Sequence, residues 1–162
     1  MIKNPYLWID SLFRFEENYN YPSMKCYLEN NDLDNLKTRT IEFINYWNKI
    51  YSNYKEYIIN NKAHLIKYEN ILEDYVKILN ELKSKYNLVN KNNSYNNEKY
   101  TLKANNDKTI KTTYNYKFDK KDYYLNPESI NKLPKIIITT INNFIDKDLM
   151  KFYGYDIIKL EE

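Results

Sequence analysis

The segment "HLIKYENILEDYVKILNELKSKY" (64–86) decides the architecture. Its first six residues, His64 to Glu69, lie between the polar stretch "NNKA" and Asn70, and they read as a short strand. Asn70 suits the capping of a helix that follows. Ile71, Leu72, Tyr75, Val76, Leu79, Leu82 and Tyr86 then recur on one stripe at helical spacing. Glu73 and Asp74 near its start, and Lys83 and Lys85 at its end, complement the helix dipole. A strand running directly into a long helix is the repeating unit of a parallel α/β sheet.

Upstream of this unit the pattern is helical again. From Asp34 to about Asn60, Ile41, Ile44, Trp47, Ile50, Tyr51, Tyr54 and Ile58 follow three- and four-residue steps. "EENYNYPSMKCYLENND" (16–32), with Pro22 and several Asn, reads as a polar excursion loop. The opening "MIKNPYLWIDSLFRF" (1–15) reads as the end of a buried strand, a tight junction at "IKNP", and a short helix over 5–15 with Pro5 at its first position.

Downstream, residues 87–117 are polar and Asn- and Lys-rich, and an irregular excursion is expected there. After Pro134, Ile137, Ile141, Phe144, Ile145, Leu149, Phe152 and Tyr153 mark one or two helices. Gly154, the single glycine, falls where a helix end calls for a left-handed residue. The expectation is one α/β domain over residues 1–162, rich in helix.

Composition narrows the function classes. The chain has 19 Tyr, 26 Asn and 23 Lys against 2 Arg, and this bias suggests an AT-rich coding sequence more than a functional demand. The Tyr–Lys alternation in "YTLKANNDKTIKTTYNYK" (100–117) could stack on and neutralise a nucleic-acid strand. Compositional bias explains it more cheaply, and a net charge of +3 attracts anions only weakly. Cys26 is the one cysteine, which leaves no disulfide within the chain, and with His64 as the one histidine no zinc site is expected. No apolar run approaches membrane-spanning length and no leader pattern is visible, so a reducing cytoplasm is the expected compartment.

Few residues offer chemistry. A strand end followed at once by a helix start presents backbone N–H groups to a phosphate or carboxylate. Lys3 just before that helix adds a cation, and Ser11 adds a hydroxyl two turns along. From the residues alone two readings stand: an anion site, or a solvated Lys3 with Ser11 facing a neighbouring strand. His64 is a conceivable base, but its place at a strand start argues for a structural or surface role. Glu16-Glu17 and Glu73-Asp74 read as solvated or helix-start charges.

Taken together, these segments resemble the sulfotransferase family. "IKNPYLWIDSLFR" (2–14) resembles that family's 3′-phosphate segment, Arg-Asn-Pro followed by Ser, with Lys3-Asn4-Pro5 and Ser11 at the matching spacing. "LIKYENILEDYVKILNELKSKYNL" (65–88) is similar to its strand ending in Tyr-Glu and the helix behind it, here Tyr68-Glu69. A long helix with a Trp, here Trp47, also fits. "FDKKDYYLNPESINKL" (118–133) and "FIDKDLMKFYGYDI" (144–157) resemble its closing segments.

The resemblance implies a three-layer, P-loop-NTPase-like fold with a parallel sheet flanked by helices. It implies 3′-phosphoadenosine 5′-phosphosulfate (PAPS) as sulfuryl donor, with Lys3 and Ser11 on its 3′-phosphate. It also implies a hydroxyl or amine acceptor, a carbohydrate among the candidates. Lys3 in place of Arg keeps the charge and loses the planar fork of donors. Tyr68-Glu69 is expected to be architectural. The family's 5′-phosphosulfate loop, with its lysine, glycine and hydroxyl residues, has no match, since nothing but Met1 and Ile2 precedes "KNP". The first strand and loop are therefore expected to be missing, isolated activity is doubtful, catalytic residues are unassigned, and an uncovered sheet edge invites self-association. The alternatives are a non-catalytic nucleotide- or partner-binding remnant and a basic, aromatic nucleic-acid-binding protein.

Overall fold

Local capping explains where several helices begin. The structure, a computed structural model, describes residues 1–89, 121–126 and 128–160. Asn4 caps α1 (Pro5–Glu17) by accepting the Tyr6 N–H on its side chain at 3.0 Å, and Pro5 occupies N1, where no N–H is needed. Ser23 caps α2 (Met24–Glu29) in the same way through the Cys26 N–H at 3.2 Å. α3 (Leu33–Ile59) is the long central helix, and α4 (Tyr68–Tyr86) follows a short turn. The remainder comprises α5 (Lys121–Leu125), α6 (Glu128–Asn131), α7 (Lys135–Phe144) and α8 (Lys147–Phe152).

The core forms where α1, α3, α7 and α8 turn their apolar stripes on one another. Leu36, Ile44 and Trp47 of α3, Ile9 of α1, and Ile137 and Ile141 of α7 are each fully buried. Trp47 lies 4.9 Å from the Tyr51 ring and meets Tyr153 edge-on at 6.2 Å, and Phe43 meets Phe13 edge-on at 5.1 Å. Offset and edge-on ring pairs of this kind add to the apolar area they bury. α8 ends with Tyr153 as C-cap and Gly154 at φ 65°, with Gly154 N–H donating to Lys151 O and Tyr155 N–H to Met150 O. That is the doubly bonded left-handed helix end that favours glycine.

The parallel α/β sheet expected from the sequence is not there. Among the described residues 70% are helical and no strand or sheet forms. The two segments read as strands do meet, but only as an isolated parallel bridge between Ile2 and Lys67. Ile2 N–H donates to Ile66 O at 2.8 Å, and Tyr68 N–H donates to Ile2 O at 2.7 Å. Tyr68 and Glu69, expected to close a strand, begin α4 with Lys67 as its N-cap, three positions before the Asn70 cap. The physical reason is supply. The three-layer, P-loop-like arrangement needs several apolar strands for its middle layer, whereas the apolar residues here recur at helical spacing and satisfy one another as helices.

Two further corrections concern single elements. Residues 24–29, read as part of an excursion loop, form α2, and the Tyr27 ring meets Phe13 edge-on at 6.5 Å. α4 is interrupted at Asp74, whose backbone is non-helical (φ −151°, ψ 86°), and its carboxylate accepts the Lys77 N–H at 3.0 Å as an internal cap. The excursion expected over 87–117 lies, beyond Val89, outside the described residues. No helix among the described residues is long and apolar enough to cross a membrane.

Candidate anion site

Lys3 and Ser11 are brought together. Lys3 precedes the helix and its side chain runs along α1, so that Nζ donates to Ser11 Oγ at 2.5 Å. Ser11 Oγ in turn donates to Leu7 O one turn back at 2.8 Å. The Lys3 main chain is fixed from the other side, where Trp47 Nε1 donates to its carbonyl at 3.3 Å.

Two residues that motif reading did not find complete the cluster. Arg14 lies one turn beyond Ser11 on the same face, with Nη2 3.5 Å from Ser11 Oγ and 3.4 Å from the Tyr124 hydroxyl. Tyr124, on α5, places its hydroxyl 3.2 Å from Ser11 Oγ and its ring 4.0 Å beneath Lys3 Nζ. The spacing of Ser11 and Arg14 is a legible signal, because residues three apart share a helix face. Tyr124 gives none, since only the tertiary fold carries it there.

Electrostatics mark this cluster as positive and partly dry. Burial pushes the Lys3 ammonium down from its ordinary value, against the opposing pull of Tyr124. Burial pushes the Tyr124 phenol up, but its Ser11 hydrogen bond and the Lys3 and Arg14 charges outweigh that, and the net direction is down. Asp10 takes part of the Arg14 charge through an ion pair at 2.7 Å and also accepts from the Tyr123 hydroxyl at 2.5 Å. Arg14 Nε–H remains buried with no hydrogen-bond partner among the described residues. An unmet buried donor beside Lys3 and Ser11 fits an anion that brings several acceptor oxygens.

The helix start contributes less than its sequence suggests. The Asn4 N–H donates to Glu69 Oε1 at 2.9 Å and the Tyr6 N–H to the Asn4 side chain, so two of the amides offered to an anion are already used. Side chains, rather than an open row of amides, make the site. Glu69 also accepts from the Tyr155 hydroxyl at 2.9 Å, so both its oxygens tie segments of the fold together, whereas the Tyr68 ring lies 5.3 Å from Lys3 Nζ and borders the cluster. His64 meets Lys85 at 2.9 Å and the Tyr86 ring edge-on, and none of its contacts belongs to the Lys3 cluster. No group of three or more potential metal-binding side chains occurs among the described residues.

No protein-family model, curated protein or solved structure matches the chain.

Proposed function

We propose that Lys3, Ser11 and Arg14 bind the 3′-phosphate of PAPS, and that through it the protein serves sulfuryl transfer to a hydroxyl or amine acceptor, a carbohydrate among them. The observation that carries this reading is the convergence of the Lys3 ammonium, the Ser11 hydroxyl and the Arg14 guanidinium on one place. Two cations and a hydroxyl suit a dianionic phosphate ester better than a carboxylate, and Arg14 supplies the planar donor group that Lys3 lacks.

PAPS, when bound, supplies an activated sulfuryl group. The residues present fit its 3′-phosphate half. They do not fit the 5′-phosphosulfate half, because the 162 residues hold a single glycine, and that glycine ends α8. A nucleotide-binding module without transfer activity is therefore the second reading, and that missing cradle favours it. We place the protein in a reducing cytoplasm, since Cys26 has no second cysteine to pair with.

Calorimetric titration with adenosine 3′,5′-bisphosphate, against adenosine 5′-monophosphate as control, tests the site. Binding of the bisphosphate alone is expected, weakened about tenfold or more in Lys3→Ala, as loss of a charge-assisted contact predicts. Ser11→Ala weakens it less. Equal binding of both nucleotides, or no loss in Lys3→Ala, would overturn the assignment.

A further inference from the structure

We infer that the Tyr124 hydroxyl is a built-in placeholder for the anion, so that α5 acts as a plug that an incoming phosphate displaces. This rests on the phosphate-site reading above and concerns how that site is regulated.

Three observations converge. The Tyr124 oxygen stands 3.2 Å from Ser11 Oγ and 3.4 Å from Arg14 Nη2, so two side chains of the proposed phosphate site already face one oxygen of the chain itself. The third, Lys3 Nζ, sits 4.0 Å over the same ring, and Tyr124 is 8% exposed, which closes the approach to Lys3 from that side. A phosphate oxygen in contact with all three side chains would have to take the place of the phenol.

The plug is a small element that owes its place to side-chain contacts. α5 has five residues, and a single turn has little stability of its own. Beyond the contacts of Tyr124 with Ser11, Arg14 and Lys3, α5 is held by its packing on α4, including the edge-on contact of Tyr124 with Tyr68 at 5.2 Å, by Arg14 stacked on the Tyr123 ring at 4.9 Å, and by the bond from Tyr123 to Asp10. The exchange is also favourable in kind. A neutral phenol meets Arg14 Nη2 at 3.4 Å and leaves Arg14 Nε–H unmet, whereas a dianion offers several strong acceptors. Binding then opens α5 from the side of α1, and the phenol released is free for the ligand's surroundings. The affinity measured is the intrinsic affinity reduced by the fraction of molecules in which the plug is out.

Tyr124→Phe keeps the ring over Lys3 and removes the competing oxygen. Adenosine 3′,5′-bisphosphate is expected to bind this variant about fivefold more tightly than wild type, the scale of one ordinary hydrogen bond. Equal or weaker binding in Tyr124→Phe, with wild-type binding still dependent on Lys3, overturns the plug and leaves the phosphate site standing. Loss of Lys3-dependent binding in both proteins overturns both.

A second measurement does not depend on the variant's affinity. In protein labelled with 3-fluorotyrosine, the Tyr124 fluorine signal is assigned by its absence in Tyr124→Phe. Saturation with the bisphosphate is expected to move it to the position of a solvent-exposed tyrosine. A Tyr124 signal unmoved at saturation overturns the inference.

Discussion

The Glu69 carboxylate accepts the main-chain N–H of Asn4, 65 positions earlier in the chain, at 2.9 Å. Its second oxygen accepts the Tyr155 hydroxyl at 2.9 Å, so one side chain ties the start of α1, the start of α4 and the segment after α8. This junction stands directly behind Lys3 and fixes where the lysine emerges.

Glu69→Ala removes both acceptors and leaves an amide and a phenol without their partner. A destabilisation of about 2–3 kcal/mol is expected for bonds to a charged group. It would be measured as a lowered urea midpoint at unchanged slope. Glu69→Gln, which keeps an acceptor oxygen, should lose less than half as much. Equal losses in the two variants would show that the charge, and not the hydrogen bonding, sets the junction.

Tyr6 makes a second long-range tie. Its hydroxyl donates to Asn142 Oδ1 at 2.5 Å and accepts the Ile158 N–H at 3.1 Å, while Asn142 Nδ2 donates to Ile158 O at 2.8 Å. Tyr6→Phe is expected to cost about 1–2 kcal/mol. Its local effect should be greater: hydrogen exchange of the Ile158 amide is expected to rise sharply while amides of α3 keep their protection.

The alkaline limit of stability follows from the buried phenols. Burial pushes Tyr153 up to about 12 from an ordinary 10.0, and burial likewise raises Tyr6, Tyr51 and Tyr155. A raised folded value means that the folded state holds its proton longer. The stability contributed is complete below pH 10.0 and is lost as pH climbs toward the folded value. Lys3 and Tyr124, both shifted down, act in the opposite sense but are outnumbered. Tm is therefore expected to fall steeply above pH 10. Tyr153→Phe, which forfeits the 2.6 Å bond to Tyr51 O, should lower Tm at neutral pH and make the alkaline fall shallower.

How much the sequence disclosed depends on the range of each signal. Apolar residues at three- and four-residue steps marked α3 to within one residue at either end, because periodicity is a local property. Pro5 and Gly154 likewise stand where their backbone preferences placed them. "HLIKYE" misled because six residues carry too few periods to separate a strand from the approach to a helix. What decides it is whether partners exist to pair with, and among the described residues only Ile2 pairs with it. Lys3 and Ser11 were within reach of motif reading since both belong to α1 or its threshold. Tyr124 was not, because it meets Ser11 across 113 positions that no local pattern spans.

The bonds of Tyr6 have a consequence for how the molecule comes into being. α1 buries Tyr6, Leu7, Ile9 and Phe13 in a core completed by α7 and α8, and its phenol closes on Ile158. On the ribosome, α1 has no complete surface to settle on until residues 133–158 have emerged. Such late, long-range closure slows folding, since the entropy of bringing distant segments together is spent before their contacts reward it. Until then the nascent chain carries the apolar face of α1 uncovered.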